Sequence, residues 1–119
     1  MTPDHNESLF TAINQYKIMW LYVMFDLPVE TKSQRKAATL FRKELLKDGF
    51  SMFQYSVYIR HCASKENADV HIKRVRQLTP SLGMVTILAV TDRQFGEMVT
   101  IYGAKEKPPP ATPMQLELF

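Results

Sequence analysis

The sequence predicts one α+β domain, and three observations support this prediction. The apolar run Ile18 to Phe25 is rich in aromatic and branched residues, which is typical of a strand buried on both faces. Two segments with a helical spacing of apolar residues follow, one after Thr31 and one after Ser64. Further strand-like segments complete the order strand, helix, strand, strand, helix, strand. This order is that of the ferredoxin-like fold, βαββαβ, and an extra C-terminal strand is predicted after it.

The first predicted helix has a clear beginning and end. Thr31 and Gln34 have the spacing of a capping box, in which each side chain bonds the backbone of the other residue. The helix is predicted to extend to about Lys47, and Gly49 ends it. One face of this helix is apolar, and its stripe consists of Ala37, Ala38, Phe41, Leu45 and Leu46.

The second helix and the remaining strands are predicted from similar signals. Ser64 has the position of an N-cap, and Pro80 lies just beyond the end of the helical pattern. Between the helices, apolar residues such as Tyr55, Val57 and Ile59 alternate with more polar ones, as in a strand with one wetter face. The strands predicted after the first are 50–53, 54–60, 83–91 and 98–102.

Composition excludes several classes of protein. The chain has 119 residues, a net charge of +3 and one cysteine, Cys62. One thiol cannot form a disulfide scaffold, and with three scattered histidines it argues against a zinc site. The first residues are polar and acidic, unlike a signal peptide, and the longest apolar run is too short to span a bilayer. We therefore expect a cytoplasmic protein with no membrane partner.

The chain is predicted to divide into three parts. Residues 1–16 form an N-terminal extension, 17–103 the ferredoxin-like domain, and 104–119 a proline-rich linker with a C-terminal tail. Three consecutive prolines favour an extended polyproline II conformation in the linker. The tail carries residues that are predicted to bind a partner, and these are Gln115, Leu116, Leu118 and Phe119.

Asp26 stands out because it directly follows the apolar strand. A carboxylate at the end of a buried strand is a metal ligand, a cap for the following loop, or a solvated strand end. Asp26 also belongs to a set of features that go beyond fold. These are the stretches 24–28, 49–58 and 84–91, with the basic helix that starts near Arg35 between the first two.

Together these stretches resemble the small CRISPR adaptation protein, the CRISPR-associated Cas "two" family, over residues 18 to 103. In particular the chain is similar to the version that accompanies single-effector, Cas-nine-type systems. The resemblance implies a ferredoxin-like homodimer in which the two strand-end aspartates face each other across the two-fold axis. It also implies two activities, a metal-dependent endonuclease and a non-catalytic scaffold that supports double-stranded DNA within the CRISPR integrase.

Asp26 has two interpretations, which the residues leave open, and the resemblance favours the first. As a catalytic residue and metal ligand, it would pair with its symmetry mate to hold Mg²⁺. In the alternative, it accepts hydrogen bonds from amides of the next loop. Only Glu30 follows as a second nearby carboxylate, so a single aspartate per chain would act through its dimer mate.

A cationic surface is predicted to bind nucleic acid through phosphates. Lys32, Arg35 and Lys36 lie at the start of the first helix, close to Asp26, and would form a basic rim in the dimer. Arg42 and Arg60 are predicted to extend this surface, although Arg60 also fits a solvated strand end. Tyr55 and Tyr58 are assigned to core or dimer packing rather than to base stacking.

The short strand 98–102 and the tail are predicted to make protein contacts. An exposed apolar edge invites pairing, so the strand is predicted to join the sheet of the partner protomer. For the tail, the first candidate receptor is the integrase subunit, which the resemblance implies. Docking on its own dimer is second, and the replication sliding clamp is third, because Gln-Leu-Glu-Leu-Phe resembles the short peptides that bind the clamp.

Overall fold

Residues 17–107 are described by a computed structural model of the chain, and for 105–107 only the backbone is considered. The predictions for residues 1–16 and for the tail residues Gln115, Leu116, Leu118 and Phe119 lie outside this range. The elements are β1 (Met19–Asp26), α1 (Lys32–Lys47), β2 (Ser51–Gln54), β3 (Val57–Cys62), α2 (Lys65–Leu78), β4 (Met84–Thr91), α3 (Asp92–Gly96), β5 (Thr100–Tyr102) and β6 (Lys105–Lys107).

The main sheet confirms the predicted α+β, ferredoxin-like fold. Its strand order is β2-β3-β1-β4, and every neighbouring pair is antiparallel. β1 lies in the centre, where Met24 pairs with Val57 of β3 and Asp26 pairs with Met84 of β4. No helix among the described residues is long and apolar enough to cross a membrane.

Both helices begin where the sequence predicts. The capping box is complete, because the Thr31 hydroxyl accepts from the Gln34 amide and the Gln34 side chain accepts from the Thr31 amide. The Ser64 hydroxyl accepts from the Asn67 amide at 3.0 Å. Gly49, just after α1, has a φ of +91°, a conformation that glycine adopts without strain.

The main core lies between the sheet and the two long helices. Leu21, Val23 and Phe25 of β1 point to this side and are buried. They pack with side chains of both helices and of β3, including Phe41, Leu45, Tyr58, Cys62 and Val75. Since most of these side chains are apolar and almost fully buried, they provide most of the hydrophobic stabilisation of the fold.

A second, smaller cluster covers part of the other face of the sheet. It includes α3, a helix that the sequence analysis did not predict. Phe95 of α3 stacks on Trp20 with ring centroids 3.8 Å apart, and the Trp20 indole donates to the Asp92 carboxylate at 2.8 Å. The cluster also contains the buried Ile59 and the partly buried Tyr22. It covers the sheet near the start of β1 and leaves the Asp26 end open.

The structure corrects the predicted alternation through Tyr55. β2 ends at Gln54 and β3 begins at Val57, so Tyr55 and Ser56 form a hairpin turn rather than strand positions. The alternation grouped Tyr58 with the more polar residues, but Tyr58 is 3% exposed and lies in the main core, which confirms its assignment to packing. The prediction was wrong because the alternation continues through a turn that has no glycine, asparagine or proline to mark it.

The C-terminal strands also differ from the prediction. The predicted strand 98–102 is shorter, and it pairs with Lys105–Lys107 in a separate two-stranded sheet. Gly103 and Ala104 both have positive φ values, as in the type I′ turns that join two-residue hairpins. The stretch from Lys105, predicted as extended linker, therefore begins with a paired strand.

Candidate functional site

Asp26 lies at the open end of the sheet. Side chains alternate along a strand, so Asp26 shares a face with Trp20, Tyr22 and Met24, opposite to the two long helices. The α3 cluster covers Trp20 and partly covers Tyr22, whereas Asp26 is exposed. It lies in an open groove of about 310 Å³ whose other lining residues are Met24, Phe25, Tyr55, Ser56, Val57, Met84 and Thr86.

Neighbouring segments hold the backbone around Asp26, but no described residue holds the Asp26 carboxylate. The Phe25 amide donates to the Ser56 carbonyl at 3.0 Å. On the other side Gly83, with a φ of +101°, lies so close that a Cβ there would be 2.8 Å from the Asp26 carbonyl oxygen. Within residues 17–107, by contrast, the Asp26 carboxylate accepts no hydrogen bond and forms no ion pair. The interpretation of Asp26 as a loop cap therefore finds no support.

Lys32 and Lys36 are free to meet a ligand, whereas Arg35 is partly engaged. Both lysines are exposed on the first two turns of α1. Arg35 donates through Nη1 to the carbonyls of Val29 and Glu30, at 3.1 Å each. Arg35 therefore ties the loop after Asp26 to α1, and its other guanidinium nitrogens make no hydrogen bond within the described residues.

The charge distribution of α1 is unusual for the start of a helix. Its first turn contains no acidic residue, although it includes Lys32 and Arg35. The amide dipoles at a helix start disfavour cations, by a few tenths of a kcal/mol to about 1 kcal/mol each. The first turn of α2, in contrast, contains Glu66. The cations at the start of α1 are thus not explained by helix stability, and they add to the preference of a helix start for anions, although the Gln34 and Arg35 amides already donate to Thr31.

Arg42 contacts two aromatic residues that line the Asp26 groove, Phe25 and Tyr55. Its guanidinium carbon lies 5.7 Å from the centre of the Phe25 ring and 5.4 Å from the centre of the Tyr55 ring. Its Nη2 donates a long hydrogen bond of 3.4 Å to the Tyr55 hydroxyl. Arg42 is half-buried and does not itself line the groove, and its positive charge is held beside these two rings.

Arg60 does not lie at the groove. The register places it opposite Leu21, five residues before Asp26 on β1, which is about 16 Å along the strand. It shares the helix side of β3 with Tyr58 and Cys62, and it donates to the carbonyls of Asp48 at 2.8 Å and His61 at 2.7 Å. Arg60 therefore fastens the end of α1 to β3.

The sequence analysis missed a polar cluster at the end of α1, of which His71 is buried and Arg74 is exposed. We call it the Asp48 cluster; its members are Asp48, His71, Arg74 and Arg60. Asp48 accepts from Arg74 at 2.8 Å, and its other carboxylate oxygen lies 2.7 Å from Nδ1 of His71, which is 3% exposed. The sequence alone favours an ordinary surface or partly packed histidine at this position of the helix. No local signal shows this pairing, because Asp48 and His71 are 23 residues apart.

The described residues of one chain provide few ligands for a metal ion. Among the described residues, no group of three or more His, Cys, Asp or Glu side chains is placed to hold a metal ion. Mg²⁺ often keeps several waters and uses one or two carboxylates, so the single exposed Asp26 carboxylate fits such an ion only as a partial ligand set. A second carboxylate from another chain would complete a site of this kind.

Comparisons with known proteins bear on this arrangement. Residues 19–98 match the family model described as CRISPR associated protein Cas2. A Flavobacterium psychrophilum protein is 53% identical over 110 residues, which cover 92% of this chain and 96% of the relative. A Parvibaculum lavamentivorans protein is 54% identical over 101 residues, covering 85% and 100%. Both relatives, and a Paracidovorax avenae protein that is 45% identical over 104 residues, carry the name CRISPR-associated endoribonuclease Cas2.

Proposed function

The chain belongs to the CRISPR-associated Cas2 family, and from this premise we propose that it is a nucleic-acid-binding homodimer that holds the DNA duplex during CRISPR spacer acquisition. One observation carries the proposal. The open groove at the end of β1 contains a single carboxylate, and a loop of only five residues separates Asp26 from the start of α1, where Lys32 and Lys36 are exposed at the same end of the sheet. This combination suits the binding of a phosphate backbone better than it suits the assembly of a metal centre within one chain.

The charge of α1 supports this proposal. Between Lys32 and Lys47 the helix has six lysine and arginine residues and one acid, Glu44. Only Lys47, at the far end, lies near that acid, at 3.8 Å. Since phosphate contacts supply affinity without reading sequence, such a surface fits a protein that must accept many different spacers.

The second candidate function is a Mg²⁺-dependent endonuclease, and two observations favour it. The relatives carry the word endoribonuclease in their names, and the Asp26 carboxylate makes no hydrogen bond or ion pair within the described residues. In this proposal Asp26 from each protomer would hold the ion. A bound Mg²⁺ would neutralise charge on the phosphate and activate water. Lys32, Lys36 and Arg42 would then position the strand.

One pair of variants separates these two functions. Asp26→Asn should abolish any Mg²⁺-dependent cleavage of RNA or DNA, and on the scaffold proposal it should leave duplex binding and spacer acquisition intact. Lys32→Ala with Lys36→Ala should weaken duplex binding while the fold persists. Loss of spacer acquisition by an Asp26→Asn protein that is still dimeric would favour the enzyme.

Dimerisation is part of the proposal, and exposed apolar residues support it. Met84 and Leu88 of β4 are 65% and 48% exposed, and Ile101 of β5 is 64% exposed. Met84 and Leu88 pair with Asp26 and Tyr22, so they lie on the open face of the sheet. A second copy that covers part of this face and pairs through β5 would bury apolar side chains at the edge of the groove and bring two Asp26 side chains together, so that the two grooves adjoin across the two-fold axis. A monomer in light scattering at micromolar concentration would contradict this.

The remaining partners are also proposals. We infer a cytoplasmic protein of a Cas-nine-type system that contacts the integrase subunit through residues 115–119. Deletion of residues 114–119 should reduce capture of the integrase, with sliding-clamp capture as the comparison. If the truncated dimer binds the integrase with unchanged affinity, this receptor is wrong, and the neighbouring genes test the type of system.

A further inference from the structure

The tip of the β2–β3 hairpin carries a large aromatic side chain that the proposed function does not use. Tyr55 is 80% exposed and lines the groove that contains Asp26. Single exposed apolar residues are ordinary on protein surfaces, so exposure alone assigns no role. What distinguishes Tyr55 is that its backbone and its ring are each held in place by named neighbours.

The backbone of the turn is fixed to the central strand. Ser56 has a φ of +63°, a left-handed conformation that costs a non-glycine residue about 1–2 kcal/mol. The Ser56 carbonyl accepts from the Phe25 amide at 3.0 Å, which continues the β1–β3 pairing beyond Met24 and Val57. The turn is thus tied to the residue that precedes Asp26, and Tyr55 has a defined position relative to the groove.

The ring of Tyr55 is held by Arg42. The guanidinium lies 5.4 Å from the ring centre, within the range of a cation–π contact, and Nη2 donates to the hydroxyl at 3.4 Å. Arg42 is in turn placed by the Phe25 ring, whose centre is 5.7 Å away. Since Arg42 contacts one side of the ring and Tyr55 remains 80% exposed, the rest of the ring faces solvent.

We propose that Tyr55, held by Arg42, is a stacking platform for an unpaired base of the bound strand, with Arg42 close to the neighbouring phosphate. The inference rests on the proposed function, because it requires that the groove bind nucleic acid. Bases inside a duplex are already stacked on both sides, so the platform recognises an unpaired nucleotide at a duplex end or in a single strand. The shared chemistry is a nucleobase with a phosphate, in DNA or RNA.

The test compares Tyr55→Leu, which removes the aromatic face but keeps apolar bulk, with Tyr55→Phe, which keeps the face and removes the hydroxyl. The full chain is titrated with a blunt DNA duplex, the same duplex with short overhangs, and single strands of DNA and RNA. Stacking is worth about 1–3 kcal/mol per base, so Tyr55→Leu should weaken overhang or single-strand binding about tenfold. Blunt-duplex affinity should stay within about twofold, and Tyr55→Phe should bind nearly as the wild type.

A fluorescent base gives a direct readout. 2-Aminopurine in the overhang should lose fluorescence on binding to the wild type and to Tyr55→Phe, and should keep it with Tyr55→Leu. The strand that shows the larger loss, DNA or RNA, identifies the source of the base. The platform is wrong if Tyr55→Leu binds the overhang duplex with the wild-type affinity, or if it loses as much affinity for the blunt duplex as for the overhang duplex. Either result leaves the proposed function standing.

Two further outcomes would also overturn the platform. If light scattering shows that Tyr55→Leu changes the oligomeric state, Tyr55 is a contact between copies of the chain. If the wild type binds none of the probes, the proposed function itself fails, and this result is distinct because it does not depend on any variant.

Discussion

Asp26 and Asp48 occupy similar positions and have opposite environments. Each lies at the end of a regular element, Asp26 on β1 and Asp48 as the C-cap of α1. The Asp48 side chain is 10% exposed and contacts both His71 and Arg74. Asp26 is exposed, and no described residue donates to its carboxylate. A carboxylate that is buried and satisfied holds elements together, whereas one that is exposed and unsatisfied remains available to a ligand.

The cations near each aspartate differ in the same way. Arg60 and Arg74 donate to the backbone and side chain of Asp48, so their positive charges serve the fold. Lys32 and Lys36 form no ion pair within the described residues. The comparison thus separates a structural end of α1 from the end that we propose binds nucleic acid, and each prediction below tests that separation.

Removal of the Asp48 carboxylate should have the largest effect on stability. Asp48→Ala leaves the buried His71 imidazole without its hydrogen-bond partner, and a buried polar group that loses its partner costs up to about 3 kcal/mol. The free energy of unfolding is measured by urea denaturation. Asp26→Ala is the matched control, and it should leave the urea midpoint unchanged. Equal losses from the two substitutions would show that the two ends do not differ.

Gly83 should be the most sensitive backbone position at the Asp26 end. Gly83→Ala should destabilise by about 2 kcal/mol, because its φ is +101° and the new Cβ would meet Asp26 and Leu27 at 2.8 Å. It should also disturb the groove. Gly96→Ala is the control, since no atom lies within 4 Å of a Cβ there. If both variants unfold at the wild-type midpoint, the close approach to Asp26 is not a constraint.

The thiol of Cys62, at the structural end of α1, should be protected from alkylation. Cys62 is fully buried, and burial raises the pKa of its thiol, so little thiolate is present at neutral pH. Alkylation by iodoacetamide, followed by mass spectrometry, should be about a hundredfold slower in the folded chain than in urea. Asp48→Ala should increase the alkylation rate of Cys62 in the folded chain, whereas Asp26→Ala should leave this rate unchanged. Reaction of the folded wild type at the unfolded rate would contradict the account.

Local sequence signals predicted much of the fold but little of this contrast. The capping box at Thr31 and Gln34 involves residues three apart, so the sequence contains it completely. Another capping box, at Thr91 and Gln94, begins α3, but a helix of five residues is too short to show an apolar period. α3 is instead supported by the stacking of Phe95 on Trp20, a tertiary contact.

The candidate site was predictable only in part. Asp26 is marked by the apolar strand before it, and Lys32, Arg35 and Lys36 by their place at a helix start. Contacts between distant residues were not predictable. These include Arg42 with Tyr55, the Ser56 turn with Phe25, and Arg60 with Asp48. The partners in these pairs are brought together by the sheet and helix packing, and no spacing along the chain indicates them.

The salt dependence of duplex binding tests the central claim most directly, namely that the start of α1 beside Asp26 binds phosphates and its far end does not. The logarithm of the association constant is plotted against the logarithm of salt concentration for the wild type, for the double variant Lys32→Ala with Lys36→Ala, and for Lys47→Ala. Lys47 is the control because its ammonium lies 3.8 Å from the Glu44 carboxylate in the wild type. The slope is negative, and the double variant should make it less steep by about 1.8, or 0.9 per lost phosphate contact, with an unchanged urea midpoint. Lys47→Ala should keep the wild-type slope. Identical slopes for all three proteins, or an equal fall for Lys47→Ala, would contradict the account.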